Sequence, residues 1–369
     1  MLRSLITYWQ HHPGLSYVFS GKFVGPSSQA PRVDEGLNDR IFELETAFAE
    51  LERKGDEGPP WMVDRLLRHL LVDQTGNTHR SEFCVDKLFS PDGERGRLGL
   101  LEMRAFEMPP HPEMALVRAL LVRSVVARCW EDPYHRDLVR WGNALHDRFL
   151  LPWHLERDLH EVAADLTQHG LDFDPAWLDP FLEFRFPRFG TTSIAGIGLE
   201  LRGAIEPWHV LGEEATDDGM ARYVDSSVER LQLVVNDHVD ERYAITCNGV
   251  EVPLAQTDVA GTWVAGVRYK AWQPPSGLHP TIPIDSPLTF DVVDRQSNRS
   301  LGGCRYHVVH PGGMSFEDYP VNAAVAESRR RTRFEAIGHT PGRVTVQETK
   351  PTTHREFPHT LDLRRSTKI

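Results

Sequence analysis

The sequence predicts an α+β protein in two parts. Helices packed against an incomplete antiparallel sheet occupy residues 1–182. A mainly β, sandwich-like domain with a helix and a basic tail at its end occupies residues 183–369. Three observations carry this division. Apolar residues recur at helical spacing before about residue 183 and in short alternating runs after it. A polar run, SPDGERG, joins two strand-like stretches inside the first part. Asn248-Gly249 stands between YAITC and VEVPL in the second, a signal for a tight turn between strands.

In chain order, helices are predicted over 2–11, 36–53, 61–72, 112–130, 134–149 and 153–169. Pro13 stops the first, Pro112 fits the first turn of the fourth, and Gly170 ends the last. Between the third and fourth lie strand-like HRSEFCVDKLF (79–89) and GRLGLLEMRAFEM (96–108). Beyond them, strands are expected at 183–189, 197–203, 227–235, 241–247, 262–270, 287–294 and 303–310, and a helix at 321–334. Residues 329–369 carry ten Lys/Arg against four Asp/Glu. They read as a solvated basic tail, with EFPHTLDLRR (356–365) as an alternative edge strand.

At 369 residues, 40% hydrophobic and 25% charged, the chain can bury a full core without a disulfide or metal staple. Its net charge of −12 repels phosphate backbones and argues against nucleic acid as the partner. The four cysteines, Cys84, Cys129, Cys247 and Cys304, are scattered with no C-x-x-C, so no zinc ribbon or disulfide framework is expected. Arg118, Arg123 and Arg128 interrupt the most apolar stretch, Met114 to Trp130, so no membrane span is expected. The opening LRSLITYWQHHP has no cleavage-site pattern, and a reducing cytoplasm is the expected location.

The hairpin of residues 79–108 is the strongest candidate for chemistry. Folding it about Asp92-Gly93 sets Glu82 opposite Arg104 and Cys84 opposite Glu102. One sheet face then gathers Glu82, Asp86, Glu102 and Arg104. Carboxylates with a guanidinium suit Mg²⁺–nucleotide chemistry, since hard oxygens hold the metal and arginine forks onto phosphate or carboxylate. An exposed face laced by cross-strand ion pairs is the other reading. His79 and His111 read as ordinary loop histidines. The Gly/Pro/Ser loop FVGPSSQAPRVDE (23–35) is long enough for a lid or nucleotide loop, but it lacks P-loop spacing. His307 and His310, three apart on a strand, point to opposite faces and make no simple metal pair. KAWQPPSGLHPTIP (270–283) is a ligand groove or, more simply, a loop packed over the sandwich.

Longer motifs carry a family resemblance. YWQHHPGLSYVFSG, LLVDQTGNTHRSEFCVDKLFSPDGERGRLGLLEMRAFEMPP, RWGNALHDRFLLPW, LEFRFPRFG, WVAGVRYKAWQPPSGLHPTI and LGGCRYHVVHPGG resemble the C-terminal half of large bacterial transglutaminase-like proteins. That half is an uncharacterised domain regarded as an amidoligase, similar to glutamine synthetase and glutamate–cysteine ligases. The resemblance implies ATP and Mg²⁺, an acyl phosphate attacked by an amine, and an amino-acid or peptide substrate. It implies Glu82, Glu102 and Asp86 as metal ligands, with Glu102 and Arg104 as catalytic residues. Arg104, in the E-x-R of LLEMRAFEM, would also bind the phosphate or carboxylate.

Family members begin earlier, with a transglutaminase-like domain and a Gly-rich, His-containing segment. The chain therefore reads as a C-terminal portion whose expected partner is the N-terminal half or a transglutaminase-like protein, and whose hairpin sheet would expose an unpaired edge when alone. Cys84 does not match the transglutaminase nucleophile. The rival readings are a non-catalytic binding or scaffolding module and, further off, a thiol-dependent acyl transferase acting through Cys84.

Overall fold

The computed structural model describes residues 1–35, 38–55, 58–216, 219–237, 241–274, 277–309, 312, 316–348 and 355–365. It divides into two compact units. One comprises Met1–Leu145, His154–Phe184 and Pro207–His209; the other comprises His146–Trp153, Arg185–Glu206 and Val210–Ile369.

The first unit is built around α1 (Leu2–His11), in which every residue from Ser4 to Gln10 is buried. A helix buried all round must satisfy its polar side chains internally, and Ser4, Trp9 and Gln10 do, while Thr7 Oγ1 and Tyr8 OH are buried without a hydrogen bond among the described residues. The Gln10 amide donates to the Val139 carbonyl at 2.6 Å and accepts from the Val139 N–H at 3.0 Å. After Pro13 the chain turns into α2 (Gly14–Tyr17), where the Gly14 N–H donates to Asp158 Oδ2 at 2.6 Å. A Cβ at Gly14 would stand 2.8 Å from that oxygen and 3.0 Å from Leu159, so the approach requires glycine. Further helices are α3 (Asn38–Lys54), α4 (Trp61–Leu67) and α5 (Pro112–Glu131). The His111 side chain caps α5, with proline in the first turn as expected. The helix predicted over 134–149 shrinks to α6 (Ala144–Arg148). Pro133 lacks a donor and Gly142 turns left-handed at φ +55°, so residues 135–141 stay irregular and hydrogen bond to α1 instead. Two more helices follow, α7 (Pro152–Gln168) and α8 (Asp179–Arg185).

The predicted hairpin has the expected register but much shorter strands. β1 (Phe83–Cys84) pairs antiparallel with β2 (Glu102–Met103), with Cys84 opposite Glu102 and Phe83 opposite Met103. The Arg104 N–H donates to the Glu82 carbonyl at 2.9 Å, which extends the same register. The expected ladder over 79–89 and 96–108 is replaced by turns, because Ser90 N–H bonds Gly96 O and Leu98 and Leu100 both bond Lys87 O. Trp9 of α1 anchors the hairpin edge-on between Phe83 at 5.8 Å and Phe106 at 6.0 Å.

The second unit is a two-sheet sandwich. Its strands are β3 (Arg188–Ile194), β4 (Ile197–Gly203), β5 (His209–Thr216), β6 (Gly219–Asp225), β7 (Val228–Asn236), β8 (Tyr243–Cys247), β9 (Val250–Glu251), β10 (Ala255–Gln256), β11 (Thr262–Lys270), β12 (Leu288–Asp294) and β13 (Arg299–Tyr306). The helix α9 (Ala323–Arg331) and the strands β14 (Phe334–Glu335) and β15 (Thr360–Asp362) complete it. One sheet runs β10-β11-β7-β4-β3 with β15 added on β11, and the other runs β14-β13-β12-β8-β9. Leu199, Leu201, Leu233, Val267 and Tyr269 from the first meet Ile245, Phe290, Val292 and Tyr306 from the second in one core. Asn248-Gly249 makes the tight turn its dipeptide predicts, with φ +49° and +81°. β5 and β6 form a separate two-stranded sheet that the alternation pattern did not reveal.

Three expectations need correction. Residues 183–185 end a helix rather than begin a strand; Pro180 sits in its first turn and Phe181 and Leu182 are buried. Residues 146–153, expected with the first part, belong to the sandwich unit, because Leu151 packs with Val234 and Val264 and Trp153 N–H bonds Gln232. The basic tail is not wholly solvated. β15 is buried and pairs parallel with β11, so the edge-strand alternative is the one observed. Buried ion pairs hold it: Arg268 bridges Glu206 at 2.8 Å and Asp362 at 3.6 Å, and Arg364 forks onto Asp362. Within 270–283 the described residues 273, 279 and 282 are tied down by Lys270, whose ammonium bonds the Gln273 side chain, the His279 carbonyl at 2.6 Å and the Ile282 carbonyl at 2.8 Å.

Candidate functional site

In the first unit, a cavity of about 250 Å³ opens between α2, the 23–35 loop and the chain leaving β2. Its polar lining includes Ser16, Tyr17, Arg32, Glu35, Arg104 and Glu107.

Behind this wall lies a fully engaged polar network. A tight turn, with Glu35 N–H bonded to Arg32 O, brings Arg32, Asp34 and Glu35 together. Arg32 forks onto Asp34 through Nε and Nη2, both at 2.9 Å, and donates to Ser16 Oγ at 2.8 Å and to the Gln10 carbonyl at 3.0 Å. Ser16 Oγ also accepts from Trp9 Nε1 at 3.1 Å, which occupies both its lone pairs. Its proton must therefore go to Glu82 Oε2, 2.7 Å away. Glu82 Oε1 accepts from the Val33 N–H at 3.2 Å. Burial pushes the Glu82 carboxyl up to about 7, against the opposing pull of Arg32 and of the Ser16 hydrogen bond. Tyr17 donates to Glu35 at 2.6 Å, and burial next to that carboxylate raises the phenol.

The four residues expected to act together are placed differently from one another. Arg104 lines the cavity, one-third exposed, with Nη1 bonded to Glu102 at 2.7 Å. Among the described residues its Nε and Nη2 donate to no protein acceptor. Glu102 lies between Lys87 and Arg104, and both cations lower its pKa. Glu82 points inward and is buried. Asp86 is not part of the cavity lining; it accepts from Thr78 Oγ1 at 2.6 Å and lies 3.4 Å from Arg68.

Thus the register is as expected, but two-residue strands cannot hold a long shared face. Glu82, Glu102 and Asp86 each answer a different donor or cation, and their oxygens do not converge. As arranged, this set does not fit a shared Mg²⁺. Cys84 is buried, and desolvation raises its thiol, which disfavours a nucleophilic thiolate. His307 lies beside Glu335 at 3.6 Å, and His310 lies outside the described residues. Ser16, Tyr17, Arg32 and Glu35 were not singled out by sequence reasoning, although the 23–35 loop that carries two of them was. No helix among the described residues is long and apolar enough to cross a membrane.

Comparison with curated proteins and with solved structures returns no match for this chain. A family model does match, and it spans residues 1–364, the hairpin, the cavity and the sandwich included. The chain belongs to the family described as "Putative amidoligase enzyme (DUF2126)".

Proposed function

We propose that the chain serves a ligase reaction that joins a carboxylate to an amine, and that the cavity beside β2 receives an amino-acid- or peptide-like substrate. One observation carries this reading: Arg104 and two carboxylates, Glu35 and Glu107, line the same small cavity. A guanidinium forks onto carboxylate oxygens, and carboxylates attract an ammonium, so the walls complement both ends of such a substrate.

Amide formation places growing negative charge on the carboxyl oxygens while the attacking amine gives up a proton. Arg104 is placed to hold those oxygens and offset the charge. A wall carboxylate, Glu35 or Glu107, is placed to accept the proton. Glu102, bonded to Arg104 Nη1, positions the guanidinium. Activation of the carboxylate by ATP with Mg²⁺ enters this reading through the family resemblance. Because Glu82, Glu102 and Asp86 do not converge, no metal-bound step is assigned to them.

The test is phosphate release from ATP with Mg²⁺ across a panel of amino acids, for the wild type, Arg104→Ala and Glu102→Gln. Losing a charge-assisted bond in Arg104→Ala lowers kcat/KM roughly 10- to 100-fold. Glu102→Gln, which keeps one acceptor for Arg104, loses less. Unchanged turnover in both variants would remove the site. Amino-acid binding without turnover would make the chain a binding module instead.

A further inference from the structure

We propose that His79, Cys84 and Asp86 form a site for a divalent transition metal of the zinc class, separate from the cavity and independent of the ligase reading. Their ligand atoms, an imidazole nitrogen, the thiol sulfur and a carboxylate oxygen, all lie within 4.8 Å of one another. Bonds of 2.0–2.3 Å to a tetrahedral ion set ligand atoms about 3.3–3.8 Å apart. The His79 Nε2 to Asp86 Oδ2 distance of 3.5 Å already has that value. The sulfur, within 4.8 Å of both, completes the triangle by closing on the same ion.

The chain is built for this arrangement. Cys84 ends β1 and Asp86 opens the turn that follows it, and the turn at 78–79 with the bend after it brings His79 back to them. Burial keeps the Cys84 thiol raised, and the Asp86 backbone N–H bonded to its sulfur opposes that only in part. Thr78 Oγ1 orients the Asp86 carboxylate at 2.6 Å, the outer support that metal ligands commonly have. The two Asp86 oxygens divide their tasks. Oδ1 is buried without a hydrogen bond and faces Arg68 Nε at 3.4 Å, while Oδ2 faces His79.

Soft sulfur and imidazole with a single carboxylate select a zinc-like ion over Mg²⁺. Thiolate and carboxylate together neutralise a dication, and the thiol proton leaves to solvent on binding. His79 is exposed, which leaves a route in and an open fourth position.

A second cluster among the described residues, His12, Asp158 and Glu161, carries no such inference. There the Asp158 oxygens are already taken by His12 and by the Gly14 N–H.

Co²⁺ added to the chelator-treated full chain tests the proposal. The wild type should show a thiolate-to-cobalt charge-transfer band that strengthens as pH rises, because the thiol must lose its proton. Cys84→Ser should abolish the band. His79→Ala, at an exposed position that leaves folding intact, should weaken Co²⁺ binding by roughly 10-fold or more, and Thr78→Val by roughly 10- to 100-fold. A wild type without the band, a band that survives Cys84→Ser, or wild-type affinity in His79→Ala would each overturn the site.

Discussion

Glu82 gives the sharpest thermodynamic prediction. Its carboxyl is buried and titrates near 7 in the fold, against 4.5 when exposed. Below pH 4.5 it is protonated in both the folded and unfolded chain. Between 4.5 and about 7 the unfolded chain ionises while the folded one keeps its proton, so stability falls as pH rises. Above about 7 both are ionised, and the full cost of the buried charge is present, about 3 kcal/mol. Glu82→Gln removes this titration. It also sets an amide nitrogen against either the Ser16 hydroxyl proton or the Val33 N–H, which costs about 1–3 kcal/mol at every pH. Denaturant unfolding of both proteins from about pH 4 to about pH 9 isolates the effect, because other titrating groups cancel in the difference. The advantage of the wild type over Glu82→Gln should shrink by about 3 kcal/mol across that range. A difference that stays flat with pH would show that Glu82 titrates as it does in the unfolded chain, and the reasoning about the buried network would fail.

Three further changes probe the fold. Ser16→Ala strips acceptors from Trp9 and Arg32 and a donor from Glu82, and should cost about 2–4 kcal/mol of unfolding free energy; a loss below about 1 kcal/mol would show that the network tolerates gaps. Gly14→Ala forces a methyl to within 2.8 Å of Asp158 Oδ2 and should cost about 1–3 kcal/mol, read from thermal or denaturant midpoints; an unchanged midpoint would contradict the close approach. Arg268→Ala leaves Glu206 and Asp362 buried without that cation and should cost about 3–5 kcal/mol, with faster amide exchange at residues 360–362; unchanged exchange would mean that β15 holds without the pair.

How much of this was legible follows from the range of the interactions. Turn chemistry is local, so Asn248-Gly249 and the hairpin register about Asp92-Gly93 could be read directly. Alternation located β4 and β11 because one face of each is buried in the sandwich core. Hairpin length was misjudged because Lys87 and Ser90 take their partners within the connection, and residue types alone do not show that choice. The same limit applies to the site. Arg32, Asp34 and Glu35 sit in a Pro/Gly/Ser loop where charges usually mark solvent. Their burial depends on Ser16 and Glu82 arriving from elsewhere in the chain. β15 was offered only as an alternative, because the buried ion pairs that outweigh its basic composition come from residues 94–156 positions away.

On the proposed reading, the cavity beside β2 takes a substrate bearing a carboxylate and an amine. The most direct measurement is a crystal structure of the full chain with L-glutamate as the probe. A carboxylate of the probe should lie about 3 Å from the Arg104 guanidinium, with its ammonium turned toward Glu35 or Glu107, and Arg104→Ala crystals should hold no ordered probe. L-glutamate bound elsewhere, or bound in this cavity just as well without the Arg104 guanidinium, would contradict it.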